Sequence, residues 1–174
     1  MTEEYTVNHA SLGDLDAVLD LYLAVAAVKG GLARTADEIT LGYVEQFVRN
    51  SVENGIIVVA RENNSGEVIG EIHGYEIGPK VFSHVLGELT IAVHPERQGI
   101  GIGKAIFNEF MRQVKEDRPD ILRVELIARE SNRKAIAFYE KLGFVIEGRY
   151  VSRIQSVGGG FEDDIPMACT RRPK

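Results

Sequence analysis

The chain has 174 residues, 44% hydrophobic and 26% charged, which is long enough for a proper core and unlike a disordered or fibrous chain. Its 20 basic and 26 acidic residues give a formal charge of −6, which argues against charge-driven nucleic-acid binding and is compatible with a cationic amine ligand. A single cysteine, Cys169, a polar acidic start and no apolar run near the ~18–20 residues of a membrane span lead us to expect a cytoplasmic chain without disulfides, one domain over residues 1–170 and a tail at 171–174, with no nucleic-acid or membrane partner.

Tyr5–Ala10 has the pattern of a short first strand. Ser11 and Asp14 have capping-box spacing, and Leu15, Val18, Leu19, Tyr22 and Leu23 predict a helix to about Ala27. Lys29–Arg34 is a loop, and a second helix is expected from Ala36 to Val52, stopped by Asn54-Gly55. Ile56–Arg61 and Val68–Ile77 read as strands joined by a turn at Asn63–Gly66, with Gly70 and Gly74 pointing to a bulge or a close backbone approach. Leu89, Ile91 and Val93 alternate with Glu88, Thr90, Ala92 and His94, a strand that Pro95 ends. Ile106, Phe107, Phe110, Met111 and Val114 then share one helix face, up to about Asp117. Ile121–Ala128 is the next strand, Lys134–Leu142 a helix capped by Ser131 or Asn132 and closed by Gly143. Phe144–Gln155 and Phe161–Ala168 are two further strands joined by Gly158–Gly160. The central strand, helix and strand form a βαβ unit, which places two strands parallel and a ligand beyond the carboxyl end of the first.

Between the central strand and its helix lies Gln98-Gly-Ile-Gly-Ile-Gly-Lys104. The first N–H groups of a helix lack internal partners, the helix dipole favours an anion there, and glycines let a phosphate approach the backbone. The loop therefore points to a pyrophosphate. Gln98 and Ala105 stand where a Walker A loop needs Gly and Ser or Thr, and Lys104 stands where a dinucleotide fingerprint needs its third Gly.

Gln98, Gly101 and Gly103 fit Gln-x-x-Gly-x-Gly, and this segment resembles the coenzyme A pyrophosphate loop of the GNAT superfamily, the acetyl-CoA-dependent N-acyltransferases. Glu130–Phe144, with Asn132, Ala135-Ile136, Tyr139 and Leu142-Gly-Phe144, is similar to that superfamily's second signature segment, one helix and one strand further on. The resemblance covers at least Glu88–Gly148. It implies an α/β (α+β) fold with a central mixed sheet of about seven strands flanked by about four helices. It also implies transfer of acetyl from acetyl-CoA, as co-substrate and without a metal, to a primary amine of a small molecule or peptide. An acyl-CoA-binding sensor without turnover is the alternative, and a homodimer is compatible with either.

The resemblance assigns residues to four tasks. Backbone amides from Gly99 through Ile100, Gly101, Ile102 and Gly103 to Lys104 take the pyrophosphate, with Gln98 shaping the loop. Backbone N–H groups near Ile91, Ala92 and Val93 face the thioester oxygen, where the central strand of the family bulges. Tyr139 protonates the departing thiolate, and Asn132 binds coenzyme A or orders the site while capping its helix. Glu88 is the first candidate for the base that takes the amine's proton, directly or through water, with His73, His84 and Glu125 behind it. The acceptor itself is unreadable, since it would be bound by loops that no motif fixes.

Overall fold

The computed structural model describes residues 4–155 and 159–171, arranged as two compact units. The first comprises 4–75 and 90–119, the second 76–89, 120–155 and 159–171.

In the first unit, β1 (Tyr5–His9), β2 (Gly55–Glu62) and β3 (Val68–Glu76) form an antiparallel run, with Tyr5 opposite Glu62 and Ile57 opposite His73. The hairpin turns where expected: Gly66 has φ 74 and its N–H donates to the Glu62 carbonyl. The Ser11–Asp14 capping box forms and leads into α1 (Leu15–Ala26). The second predicted helix is shorter at its start. Ala36–Glu38 is a 3-10 turn, the chain extends at Ile39 and Thr40, and α2 runs over Leu41–Asn54. Thr40 decides this boundary, because its hydroxyl accepts the Tyr43 N–H and caps a new helix. α1 and α2 bury Val18, Tyr22, Val44, Phe47 and Val48 in one cluster with Ile57, Val59, Val68 and Ala92.

The other face of these strands receives α3 (Ile102–Glu116), through Ile102, Ile106, Phe107 and Phe110. A Cβ built on Gly70 would lie 2.6 Å from Ile102 Cγ2 and 3.4 Å from Ile106 Cδ1, so this glycine allows a close approach, and it also adjoins a bulge. The register irregularity leaves Ile69 of β3 as the extra residue, since Ala60 faces Gly70 and Arg61 faces Val68.

β4 (Val85–Val93) enters both units, its first five residues in the second and the rest in the first. In the second unit it pairs in parallel with β5 (Arg123–Arg129) through Val85↔Arg123 and Leu86↔Val124, the parallel pairing that the βαβ reading requires. α4 (Arg133–Lys141) follows. The predicted strand over Phe144–Gln155 splits into β6 (Val145–Ile146) and β7 (Tyr150–Gln155), and both pair antiparallel with β8 (Phe161–Thr170). With this split the described residues hold eight strands where seven were expected. Gly158 lies outside the described residues; Gly159 and Gly160 both have positive φ. β8 also pairs with β5, and the strand order is β1-β2-β3-β4-β5-β8-β6, with β7 on β8. Among the described residues no helix is long and apolar enough to cross a membrane.

Candidate active site

The glycine loop lies in the first unit, between the end of β4 and α3. Pro95–Arg97 makes one 3-10 turn, and Arg97 is tied to Glu62 by an ion pair. Gln98 donates from Nε2 to the Val93 carbonyl at 3.4 Å, holding the loop's start against the strand end. Gly99 and Gly101 have φ 83 and φ 93, a backbone that L side chains rarely adopt, and a Cβ on either would project into open space. Ile100 is half-exposed, Ile102 is buried as the anchor of α3, and Lys104 is exposed on its first turn.

The start of α3 differs from those of α2 and α4 in its cap, and from that of α1, which has Asp16 in its first turn, in its charge. Thr40 and Asn132 cap α2 and α4 with side-chain oxygens, and Ser11 and Asp14 form the capping box ahead of α1. α3 begins at Gly101 with no side-chain cap and no acid in its first turn. Its leading N–H groups are thus left to a ligand or to water, and the dipole favours a negative one.

Gly103 has a different task from Gly101. A Cβ there would meet Val93 Cγ2 at 3.6 Å and Ile91 Cδ1 at 3.9 Å, ordinary contacts on the side of α3 that faces β4. The segment Ile91–Val93 is therefore directly beneath the first turn of α3. Strand alternation does not hold along the whole of β4. Leu89 and Ala92 are buried, while Ile91 and Val93 are half-buried. Glu88 has φ 54 inside the strand, a left-handed angle that L-residues rarely adopt.

Glu88 itself lies in the second unit and is exposed. Asn132, in the same unit, is exposed and accepts the Ala135 N–H at 3.2 Å through Oδ1, so its capping role is realised. Tyr139 is 6% exposed, its ring 5.8 Å from Phe144 and 5.6 Å from Phe138. Burial pushes its hydroxyl up to about 12, which keeps it a proton donor at any physiological pH. Of the other bases considered, Glu125 is bonded to Arg123 at 2.7 Å, and Arg123 also holds Glu147. His84 is exposed at the turn before β4, where its carbonyl accepts the N–H groups of Leu122 and Arg123.

His73 has the most elaborate surroundings, and two of its partners went unnoticed in the sequence. Glu71 is fully buried in the first unit; its Oε2 accepts the Tyr22 hydroxyl at 2.7 Å and its Oε1 lies 3.0 Å from His73 Nδ1. The imidazole stacks on Phe47 at 4.2 Å with 10° between the rings. Burial, and then the charge of Glu71, raises the Tyr22 hydroxyl well above its ordinary value. The signal was available: Glu71 and His73 are two apart in a strand, hence on one face, inside an otherwise apolar run.

Comparison with known proteins adds a family match over residues 29–144, to the acetyltransferase (GNAT) family. The chain belongs to this family. The match takes in the glycine loop, Glu88, Asn132 and Tyr139. This GNAT chain is 35% identical over 115 residues to the [ribosomal protein bS18]-alanine N-acetyltransferase of Haemophilus influenzae, covering 62% of the chain and 77% of that protein. It is 34% identical over 85 residues to the mycothiol acetyltransferase of Paenarthrobacter aurescens, a match covering 48% of the chain and only 25% of that longer protein. Among solved structures, a GNAT-family acetyltransferase from Streptococcus pneumoniae superposes with TM-score 0.84 at 21% identity, covering 97% of this chain and 100% of that one. A ribosomal-protein-alanine N-acetyltransferase from Brucella melitensis gives TM-score 0.79 at 24% identity over 95% and 99%. These two likenesses establish the GNAT fold.

Proposed function

We propose that this GNAT chain moves the acetyl group of acetyl-CoA onto a primary amine of a small molecule or peptide, by direct attack, with release of coenzyme A. The observation that carries the reading is the start of α3: uncapped, free of acids and preceded by two left-handed glycines. That is a receptacle for a pyrophosphate, in a chain of an acetyltransferase family.

In this reading the backbone of Gly99–Lys104 holds the pyrophosphate and N–H groups of Ile91–Val93 stabilise the oxyanion. Asn132 contacts coenzyme A. Tyr139 donates its proton to the leaving thiolate, and its burial keeps that proton in place until the thiolate forms. Glu88 draws in the ammonium and takes its proton, directly or through water. The two relatives are named for different acceptors, a ribosomal-protein alanine and mycothiol, so the acceptor is held at the level of a primary amine. We place the reaction in the cytoplasm. A homodimer is supported by exposed apolar residues of β6, β7 and β8, among them Val145 and Phe161.

The test is release of free thiol from acetyl-CoA across a panel of primary amines. Thiol release with at least one amine, and none without protein, is expected. Binding of acetyl-CoA without thiol release on any amine would favour a sensor.

A further inference from the structure

The β2/β3 hairpin holds the glycine loop at three points, all within the first unit. The carbonyl of Ile69, the extra residue of β3, accepts the His94 N–H at 2.9 Å where β4 ends. Ile102, at the far end of the loop, seats against Gly70. Glu62, the last residue of β2, forms an ion pair with Arg97, the residue before Gln98. The first is a backbone bond and the second a core contact, so only the third depends on side-chain charge. Glu62 lies outside both signature segments, Gln98–Lys104 and Glu130–Phe144.

The hairpin orients the Glu62 carboxylate. Its Oε2 accepts the Ser65 hydroxyl at 2.7 Å, and Ser65 Oγ in turn accepts the Glu67 N–H at 3.2 Å. The Glu62 N–H donates to the Glu67 carbonyl at 2.9 Å, closing the turn beneath. The Glu62 side chain is 18% exposed and that of Arg97 41%. A carboxylate held on one oxygen offers the other in a set direction, so Arg97 meets a fixed partner. The backbone between Arg97 and Ile102 needs one. It carries two left-handed glycines, Gly99 and Gly101, with open space at Cβ, and the bond from Gln98 to the Val93 carbonyl is long, at 3.4 Å.

We propose that Glu62 is a positioning residue for coenzyme A: through Arg97 it sets where the glycine loop begins, and so the affinity for the pyrophosphate, without touching the ligand. The inference rests on the pyrophosphate reading of the loop. The rival role for Arg97 is a direct bond to a phosphate, with Glu62 competing for the guanidinium. The two roles have opposite signs. If Glu62 is a tether, loss of its charge weakens binding; if it is a competitor, the same loss strengthens binding. The Ser65 bond favours the tether, because a carboxylate anchored from its other side keeps its hold on Arg97.

The test is the acetyl-CoA Kd, by calorimetry, of wild type, Glu62→Gln, Arg97→Gln, the double variant and Asp14→Asn. Glu62→Gln keeps the shape and still accepts from Ser65, and Arg97→Gln breaks the same pair from its other side. Asp14→Asn is the control: Asp14 pairs with Arg61 of the same hairpin, with side chains 19% and 28% exposed, but joins β2 to the turn ahead of α1 and not to the loop. A rise in Kd of about three- to fivefold is expected for Glu62→Gln and for Arg97→Gln, the scale of a partly exposed ion pair. The double variant should lose no more than either single one, and Asp14→Asn should bind as wild type. In turnover with Glu62→Gln, KM for acetyl-CoA should rise with Kd while kcat at saturating acetyl-CoA stays unchanged. A Glu62→Gln that binds as tightly as wild type or more tightly, an equal loss in Asp14→Asn, a further loss in the double variant, or a fall in kcat with KM unchanged would each overturn the inference alone. A wild type that binds no acetyl-CoA would overturn the pyrophosphate reading, and this inference with it.

Discussion

Glu88 holds a left-handed backbone angle, φ 54, which costs an L-residue roughly 1–2 kcal/mol. Asn tolerates that region better. Glu88→Asn should therefore gain about 1 kcal/mol of stability, read from a denaturant midpoint, while losing turnover if the carboxylate takes the amine's proton. Glu88→Gln separates the two effects, because it keeps the backbone cost. Superimposable pH–rate profiles for Glu88→Gln and wild type would remove Glu88 from the mechanism. Tyr139 poses a different question, since its ring is a packing element as well as a donor. Tyr139→Phe keeps the ring, so acetyl-CoA affinity should stay within a few-fold while turnover falls by roughly 10²–10⁴. A turnover equal to wild type would leave Tyr139 as packing alone. With the hydroxyl pushed up to about 12, the wild type should show no loss of rate from phenol ionisation below pH ~10.

Along α3 the two ends obey different physics. At its start, Gly101→Ala forces a side chain onto φ 93 and into the open space where a phosphate would approach, whereas Gly103→Ala adds an ordinary contact with Val93. Gly101→Ala should weaken acetyl-CoA binding by calorimetry and Gly103→Ala should do so far less; equal affinities would contradict the assignment. Further along, Glu109 is held down to about 2, foremost by hydrogen bonds from Arg112, with Gln113 adding another. A lowered carboxyl value stabilises the fold above its unfolded value of about 4.5, and that contribution is lost as pH falls toward 2. Arg112 is well exposed, so solvent and salt screen part of the effect. Glu109→Gln should be less stable than wild type at pH 7 and converge with it near pH 2; urea midpoints across that range check this. The helices were readable wherever an apolar stripe and a cap agreed, as at Ser11 and Asn132. The start of α2 was misread because Ile39 continues the apolar spacing while Thr40 breaks the backbone. The split of β6 from β7 escaped notice because no proline or paired glycines stand at Glu147–Arg149 to mark it.

A ligand that binds only the folded protein stabilises it by about 2.7 kcal/mol at a hundredfold excess over Kd. Acetyl-CoA and coenzyme A should therefore raise the melting temperature, and ATP should not; a larger shift with ATP would reverse the choice of ligand. The order of strands and helices was legible because periodicity, turn residues and two spaced motifs agreed. The Tyr22 end of the Tyr22–Glu71–His73 chain was not, because it lies 49 and 51 positions from its two partners, and nothing local announces a partner that distant. Gly70 carries a last consequence. Ile102, the first residue of α3, is 1% exposed and fills the space where a Cβ on Gly70 would be. The helix end that bears the glycine loop is thus wedged into the core before any ligand arrives. Little conformational freedom remains there to be frozen, so coenzyme A should bind with a small entropic penalty. Gly70→Ala, which pushes that wedge out, should show its damage as a more unfavourable binding entropy, far from any atom the ligand touches.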